Sequence, residues 1–109
     1  MALIEVDGEN FHKVLADEFA KGQTVILKFV SPYCDACMAL GFELEDIEEE
    51  RIDVSVLEID CSESANIAEI YDVLEVPTMV IYRDEHTMLL NATGVMMEQD
   101  IEEIIDSKE

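Results

Sequence analysis

Two of the three cysteines, Cys34 and Cys37, stand only three positions apart, and no other stretch concentrates reactive side chains in this way. They lie where an apolar run ends and a helical pattern begins. In the first turn of a helix this spacing brings two sulfurs within bonding reach, and the helix N-terminus stabilises a thiolate on the first. We therefore predict that Cys34 is an exposed attacking thiol. Cys37, one turn further on the apolar stripe, is predicted to resolve a mixed disulfide.

Asp35, between the two cysteines, opposes this activation. In water, a negative charge about 8 Å from a thiolate costs about 0.5 kcal/mol. The helix end contributes about 0.3–1 kcal/mol in the opposite direction. Because the two effects nearly cancel, the sequence predicts a moderately activated thiol.

The cysteine pair has two further interpretations. It could be half of a zinc site, but structural zinc takes four ligands and the chain has no second Cys-x-x-Cys. Only Cys61, His12 and His86 remain as soft donors, so we expect no metal. The other alternative is two ordinary helix cysteines. Cys61, in a predicted loop, is interpreted as an idle thiol rather than a regulatory one.

Length and charge limit the class of protein. The 109 residues are half hydrophobic, enough for one domain over residues 1–109 with a core of its own. The formal net charge of -21 disfavours nucleic acid and anionic membranes, and favours basic partner surfaces. No apolar run approaches the ~18–20 residues of a membrane span, and the start lacks the pattern of a secretory signal. With so few cysteines, we expect a cytoplasmic protein. We also expect a monomer.

The hydrophobic pattern predicts five strands and four helices. Strands are expected at residues 2–6, 25–30, 52–59, 78–82 and 87–92, the last two joined by a turn at 83–86. The first helix, capped by Asp7, ends at Gly22, and the second spans 36–50. The third, capped by Ser62 or Ser64, carries Ile67, Ile70, Tyr71 and Leu74, and the last buries Met97, Ile101, Ile104 and Ile105. The order β-α-β-α-β-α-β-β-α predicts an α/β fold, a mixed sheet with helices on both faces.

In this order the chain resembles the thioredoxin family over nearly its whole length. The resemblance rests on Val25-Ile26-Leu27-Lys28-Phe29-Val30, Tyr33-Cys34-Asp35-Ala36-Cys37, Ile59-Asp60, Val76-Pro77-Thr78 and Gly94. It implies a thioredoxin-like fold and a thiol–disulfide oxidoreductase that reduces protein disulfides. It also implies no bound cofactor beyond a redox-active Cys34–Cys37 disulfide. Recycling would fall to a thioredoxin-reductase-like enzyme supplied by NADPH or ferredoxin.

The resemblance also implies a substrate-binding surface. Pro77-Thr78, between a short helix and a strand, is similar to the family's cis-proline loop, in which Val76 would offer backbone groups to an extended substrate. Gly94 and Val95 would extend this surface. The alternative is that Pro77 only begins an edge strand.

Several residues depart from the family pattern. The usual Gly-Pro between the cysteines is Asp35-Ala36, the usual Trp is Tyr33, and the helix proline is replaced by Phe42, which should straighten the helix. Because Asp35 and Tyr33 border the cysteines, we expect both to tune their redox behaviour. The changes leave open a second function, a non-catalytic adaptor acting through its acidic surface.

Lys28 is the sharpest departure, because the family usually has a buried Asp there, paired with a Lys on the next strand. Here the charge is reversed, and the matching partner position is Val56. One hypothesis is that Lys28 tunes Cys37 by favouring a thiolate. The other is that Lys28 reaches solvent or pairs with a carboxylate such as Glu58.

Overall fold

The computed structural model describes residues 3–107 and contains the nine predicted elements in the predicted order. The strands are β1 (Leu3–Val6), β2 (Thr24–Val30), β3 (Val54–Asp60), β4 (Thr78–Asp84) and β5 (Thr87–Thr93). The helices are α1 (Phe11–Ala20), α2 (Asp35–Glu50), α3 (Ala65–Ile70) and α4 (Glu98–Ile105). Ala2, predicted to begin the first strand, lies outside the described residues. No helix between residues 3 and 107 is long and apolar enough to cross a membrane.

The strands form one five-stranded sheet in the order β1-β3-β2-β4-β5. Strands β1, β3 and β2 run parallel, and β4 and β5 are antiparallel to their neighbours, which confirms the mixed sheet. β2 lies in the centre and is hydrogen-bonded on both edges. Its apolar sequence fits this position, since a strand covered on both faces is apolar without alternation.

Each face of the sheet carries its own hydrophobic core. Helices α2 and α4 cover one face, where Ile26 of β2 packs with Leu40, Leu44 and Ile101. Helices α1 and α3 cover the other, where Phe29 packs with side chains that include Phe11, Leu57, Ile67 and Val80. Alternate residues of β2 therefore face different helix pairs, as the two-residue repeat of a strand requires.

Helix α2 is one unbroken helix of 16 residues, as the replacement of the family's proline by Phe42 predicts. Arg51 follows its last residue and forms ion pairs with Asp53 at 2.8 Å, Asp106 at 2.9 Å and Glu102 at 3.3 Å. This guanidinium ties the C-terminal end of α2 to the start of β3 and to the end of α4.

Three apolar residues predicted on helix faces are exposed instead. Helix α3 ends at Ile70, which is 59% exposed, so Leu74 lies beyond the helix and is 94% exposed. Met97, predicted to be buried by the last helix, is its N-cap with extended backbone and is 61% exposed. Leu74 and Met97 lie outside their helices, in segments whose backbone is not helical, whereas Ile70 is the last residue of α3 and is exposed at its end.

Two local predictions at element ends are also corrected. The N-cap of α1 is Asn10, and Asp7 instead accepts hydrogen bonds from the backbone N–H groups of Glu9 and Asn10 in the preceding turn. Strand β4 continues to Asp84, so the β4–β5 turn is shorter than the predicted residues 83–86. Ser64 is the N-cap of α3, although its side chain makes no capping hydrogen bond.

Candidate redox site

Cys34 and Cys37 form a disulfide at the N-terminus of α2, with their Cα atoms 5.2 Å apart. Cys34 is the N-cap of the helix, and its Sγ accepts a hydrogen bond from the backbone N–H of Cys37 at 3.1 Å. That N–H is one of the first four in the helix, which have no partner within it. The geometry therefore aims a backbone donor and the positive end of the helix at Cys34 Sγ.

The two sulfurs differ in their access to solvent. Cys34 is half-buried, whereas Cys37 is 7% exposed and packs behind it. Tyr33 is fully exposed, with a φ of 58° that turns the chain sharply before Cys34. Asp35 begins α2 and is exposed, so water screens its charge and the helix end favours it. An incoming disulfide can reach Cys34 more easily than Cys37.

A cavity of about 350 Å³ extends from the disulfide to a buried charge. Lys28, only 5% exposed, lines this cavity together with Glu58, Cys34 and Cys37. The Nζ of Lys28 lies 3.2 Å from Oε2 of Glu58. The disulfide and this ion pair therefore share one cavity.

The sheet register explains the ion pair and corrects one expectation. Lys28 lies opposite Glu58 across β2 and β3, whereas Val56, the expected partner position, lies opposite Ile26. The pairing of Lys28 with Glu58 confirms the second of the two hypotheses for this lysine. It leaves the first one open, because a paired ammonium still contributes charge to the cavity.

A second carboxylate next to Lys28, that of Glu48 on α2, was not singled out by the sequence reasoning. Its Oε2 is buried without a hydrogen-bond partner and lies 3.9 Å from Lys28 Nζ. Burial raises the pKa of Glu48 above its ordinary value, and Lys28 partly offsets this effect. The spacing held a signal, because Cys37, Gly41 and Glu48 fall at i, i+4 and i+11, on one helix face.

Gly41 makes room for the lysine beneath α2. A Cβ at this position would lie 3.8 Å from Lys28 Nζ, which is ordinary contact distance. A larger side chain here would occupy the space beside the ammonium. The glycine thus allows the helix that carries the disulfide to pass over a charged group.

The residues predicted to bind substrate lie at the end of the sheet at which β2 finishes. Thr78, the first residue of β4, lies opposite Phe29 near the end of β2 and opposite Thr93 at the end of β5. The Val76–Pro77 peptide bond is cis, as the resemblance implied. The backbone N–H of Gly94 donates to the Pro77 carbonyl at 2.8 Å. Val95, which follows, is 46% exposed.

Cys61 packs beside the core under α1 and α3, at the end of β3, and is half-buried. Burial and the neighbouring Asp60 raise the pKa of its thiol. Both effects favour the protonated, less reactive form. Across residues 3–107, no group of three or more His, Cys, Asp or Glu side chains is arranged to hold a metal.

The fold and the cysteine pair together define a thiol–disulfide oxidoreductase. The Thioredoxin family model matches residues 2–107, and the chain belongs to the thioredoxin family. A thioredoxin of Chlamydia trachomatis is 34% identical over 79 residues, which is 72% of each chain.

Solved structures agree with this assignment. A chloroplastic thioredoxin z superposes with a TM-score of 0.83 at 27% identity, covering 96% of this chain and 92% of its own. Thioredoxin f from spinach chloroplast gives a TM-score of 0.80 at 26% identity, covering 94% and 90%.

Proposed function

We propose that the protein reduces disulfide bonds of other proteins by two successive thiol exchanges. The Cys34 thiolate attacks one sulfur of a substrate disulfide, and the other sulfur leaves as a thiolate that takes a proton. The Cys37 thiol then loses its proton and attacks Cys34 Sγ, which releases the second substrate thiol and forms the Cys34–Cys37 bond. The observation that carries this assignment is a half-buried Cys34 at the helix N-cap with a buried Cys37 behind it.

The substrate segment docks in an extended conformation along Val76, Pro77 and Thr78. Support for this comes from the position of this loop at the sheet edge where β2 ends. Gly94 is held to the loop by its bond to the Pro77 carbonyl, and Val95 offers an exposed apolar contact. Tyr33, which lines the same cavity as Cys34, offers the substrate a fully exposed aromatic ring.

The remaining parts of the proposal concern the cellular setting. A thioredoxin-reductase-like enzyme returns the disulfide to the dithiol, with electrons from NADPH or ferredoxin. The protein works as a cytoplasmic monomer with one domain over residues 1–109, and needs no cofactor beyond its own disulfide. Family membership supports protein disulfides as the substrates.

Serine variants of the three cysteines test the roles of the sulfurs. With insulin as substrate and dithiothreitol as reductant, Cys34→Ser should reduce disulfides no faster than dithiothreitol alone, because the attacking thiolate is gone. Cys37→Ser should accumulate a mixed disulfide at Cys34, detectable by intact mass. The matched control, Cys61→Ser, should keep full turnover. Turnover by Cys34→Ser would contradict the assignment, and partner binding that survives without turnover would favour the adaptor.

Lys28 tunes Cys37 in this proposal, since both line one cavity. An ammonium near a thiol favours the thiolate, so Lys28→Met should move the thiol titration of the reduced protein upward by about one pH unit. The titration is followed by the alkylation rate as a function of pH. Lys13→Met, which removes a lysine whose side chain is 79% exposed, is the control. An unchanged titration in Lys28→Met would exclude the tuning role.

A further inference from the structure

Glu48 is a buried carboxylate that the proposed thiol exchange does not use. It lies on α2, the helix that begins with the cysteines, and its side chain is 10% exposed. Its Oε2 accepts no hydrogen bond, although a buried carboxylate oxygen ordinarily has a partner. The nearest cation is Lys28, whose Nζ lies 3.9 Å from that oxygen, beyond hydrogen-bond distance.

The charges around Glu48 come from several elements of the fold. Lys28 on β2 is attractive, while Glu58 on β3 and Glu45 and Glu49 on α2 are repulsive. Glu48 also lines a separate polar cavity of about 440 Å³, whose charged members further include Glu18, Lys21, Glu49 and Arg51. Among these groups, Lys28 and Glu58 also line the cavity at the disulfide, and of these two Lys28 carries the positive charge. Lys28 therefore links Glu48 to the cysteines.

We propose that Glu48 is a positioning residue for the redox reaction, whose carboxylate competes with the cysteine thiolate for the positive charge of Lys28. When Glu48 is ionised, Lys28 is shared between two carboxylates and the thiolate. When Glu48 takes up a proton, one competitor is neutral and the thiolate gains the charge. The inference rests on the proposed function, because it assumes that Lys28 acts on the cysteines.

Proton uptake by Glu48 is part of the proton balance when dithiothreitol reduces the disulfide. Dithiothreitol closes to a ring disulfide, giving up two electrons and two protons, and the Cys34–Cys37 bond breaks. One proton stays on a cysteine thiol, and the other cysteine remains a thiolate. The second proton goes to Glu48 or to solvent. Burial raises the pKa of Glu48, which brings its titration closer to the pH range in which the thiolate forms.

Glu48→Gln tests the inference, with Glu49→Gln as a control that removes the same charge from the neighbouring exposed residue. The equilibrium with dithiothreitol is measured from pH 5 to pH 8. Glu48 and Cys37 are about 16 Å apart along the helix axis. At an effective dielectric constant of about 20, a charge at that distance changes an equilibrium about fivefold. At pH 8, Glu48→Gln should therefore favour the reduced protein about three- to fivefold, and the difference should narrow as the pH falls and Glu48 takes up a proton.

The outcomes separate this inference from the proposed function. If Lys28→Met shifts the thiol titration but Glu48→Gln behaves like Glu49→Gln at every pH, the role of Glu48 is wrong and that of Lys28 stands. If Lys28→Met also changes nothing, the tuning proposal itself fails. In the unmodified protein, carboxyl ¹³C resonances should show Glu48 titrating at higher pH when the cysteines are reduced, because coupling is reciprocal. An identical titration in both redox states would overturn the inference.

Discussion

Two buried glutamates, on opposite faces of the sheet, have opposite local environments. Glu18 of α1 is 6% exposed, and its carboxylate accepts hydrogen bonds from Ser55 Oγ at 2.6 Å and Lys21 Nζ at 2.9 Å. Glu48 of α2 has an Oε2 with no hydrogen bond and a lysine 3.9 Å away. Both carboxylates are largely shielded from water, but only Glu18 has hydrogen-bond donors that replace the lost water.

The pKa values follow this difference. Burial raises the pKa of Glu18, but the hydrogen bonds from Ser55 and Lys21 exceed that effect and bring it below its ordinary value. Burial also raises the pKa of Glu48, and there the opposing effect of Lys28 is too weak. Burial alone therefore does not determine whether a carboxylate stabilises the fold. The polar groups next to the carboxylate determine whether it stabilises the fold. Each of the following substitutions changes one carboxylate or its neighbours.

Removing the Ser55 hydroxyl, which donates a hydrogen bond to Glu18, should have the largest effect on the free energy of unfolding. Ser55→Ala leaves a buried carboxylate oxygen without its donor, which should lower the free energy of unfolding by about 1.5–3 kcal/mol at pH 7. Because the pKa of Glu18 is lowered in the folded state, its carboxylate stabilises the fold at pH values above the ordinary pKa of 4.5. This contribution disappears as the pH falls through the folded-state pKa. In urea unfolding, the difference from the unmodified protein should thus narrow below pH 4.5.

Ser62→Ala is the matched control, because Ser62 Oγ donates to Asp60 at the same 2.6 Å distance but at an exposed site. We expect a loss of about 0.5 kcal/mol or less there, since water replaces the lost bond. Equal losses in the two variants would show that the hydrogen bond to buried Glu18 contributes no more stability than a hydrogen bond to a surface carboxylate.

Neutralising Glu48 should have a smaller effect of opposite sign. Glu48→Gln removes a poorly partnered charge and keeps the Lys28–Glu58 pair, so it should raise the free energy of unfolding by up to about 1 kcal/mol at pH 7. A raised folded-state pKa means that the ionised group is unfavourable above that pKa. The gain should therefore shrink as the pH falls through the folded-state pKa towards 4.5. Destabilisation at pH 7 would show that the attraction of Lys28 outweighs the cost of burying the Glu48 carboxylate.

Gly41→Ala should have the smallest effect and measures how tightly the layer around Lys28 and Glu48 is packed. Alanine favours a helix interior by up to about 1 kcal/mol over glycine. We expect a gain of about 0.5 kcal/mol in thermal or urea unfolding, since the helix propensity improves and the added methyl group would meet Lys28 Nζ at ordinary contact distance without a clash. A loss of stability would indicate that Lys28 needs the open space beside it.

The fold was predictable because local patterns carry it. The alternation of apolar runs with helical periodicity predicted all nine elements, and Gly22, which has a positive φ, was recognised as the end of the first helix. Residues at element ends were harder, as Met97 and Leu74 show. Periodicity predicts which face of a helix is apolar, but not the residue at which the backbone leaves the helix.

The cysteine pair was predictable from its spacing, whereas the charges beneath it were predictable only in part. Lys28 was recognised as a departure from the family pattern. Its partner depends on the register between β2 and β3: the family pattern pointed to Val56, whereas the alternative hypothesis named Glu58, which the sheet places opposite Lys28. Glu48 stands among other acidic residues of α2, and although its spacing from Cys37 places it on the same helix face, only the packing of the helix on the sheet shows that it lies next to Lys28.

The ion pairs of Arg51 have a consequence for local unfolding. The last turn of α2 contains Glu48, Glu49 and Glu50, at the negative pole of the helix, where acidic side chains are unfavourable. Arg51 follows this turn and holds it to Asp53 and Asp106. In the oxidised protein, the helix is therefore fastened by a covalent bond at its first turn and by one guanidinium at its last. Fraying should begin at that last turn, so its hydrogen-bonded amide protons exchange with solvent before those of the turn that follows the cysteines.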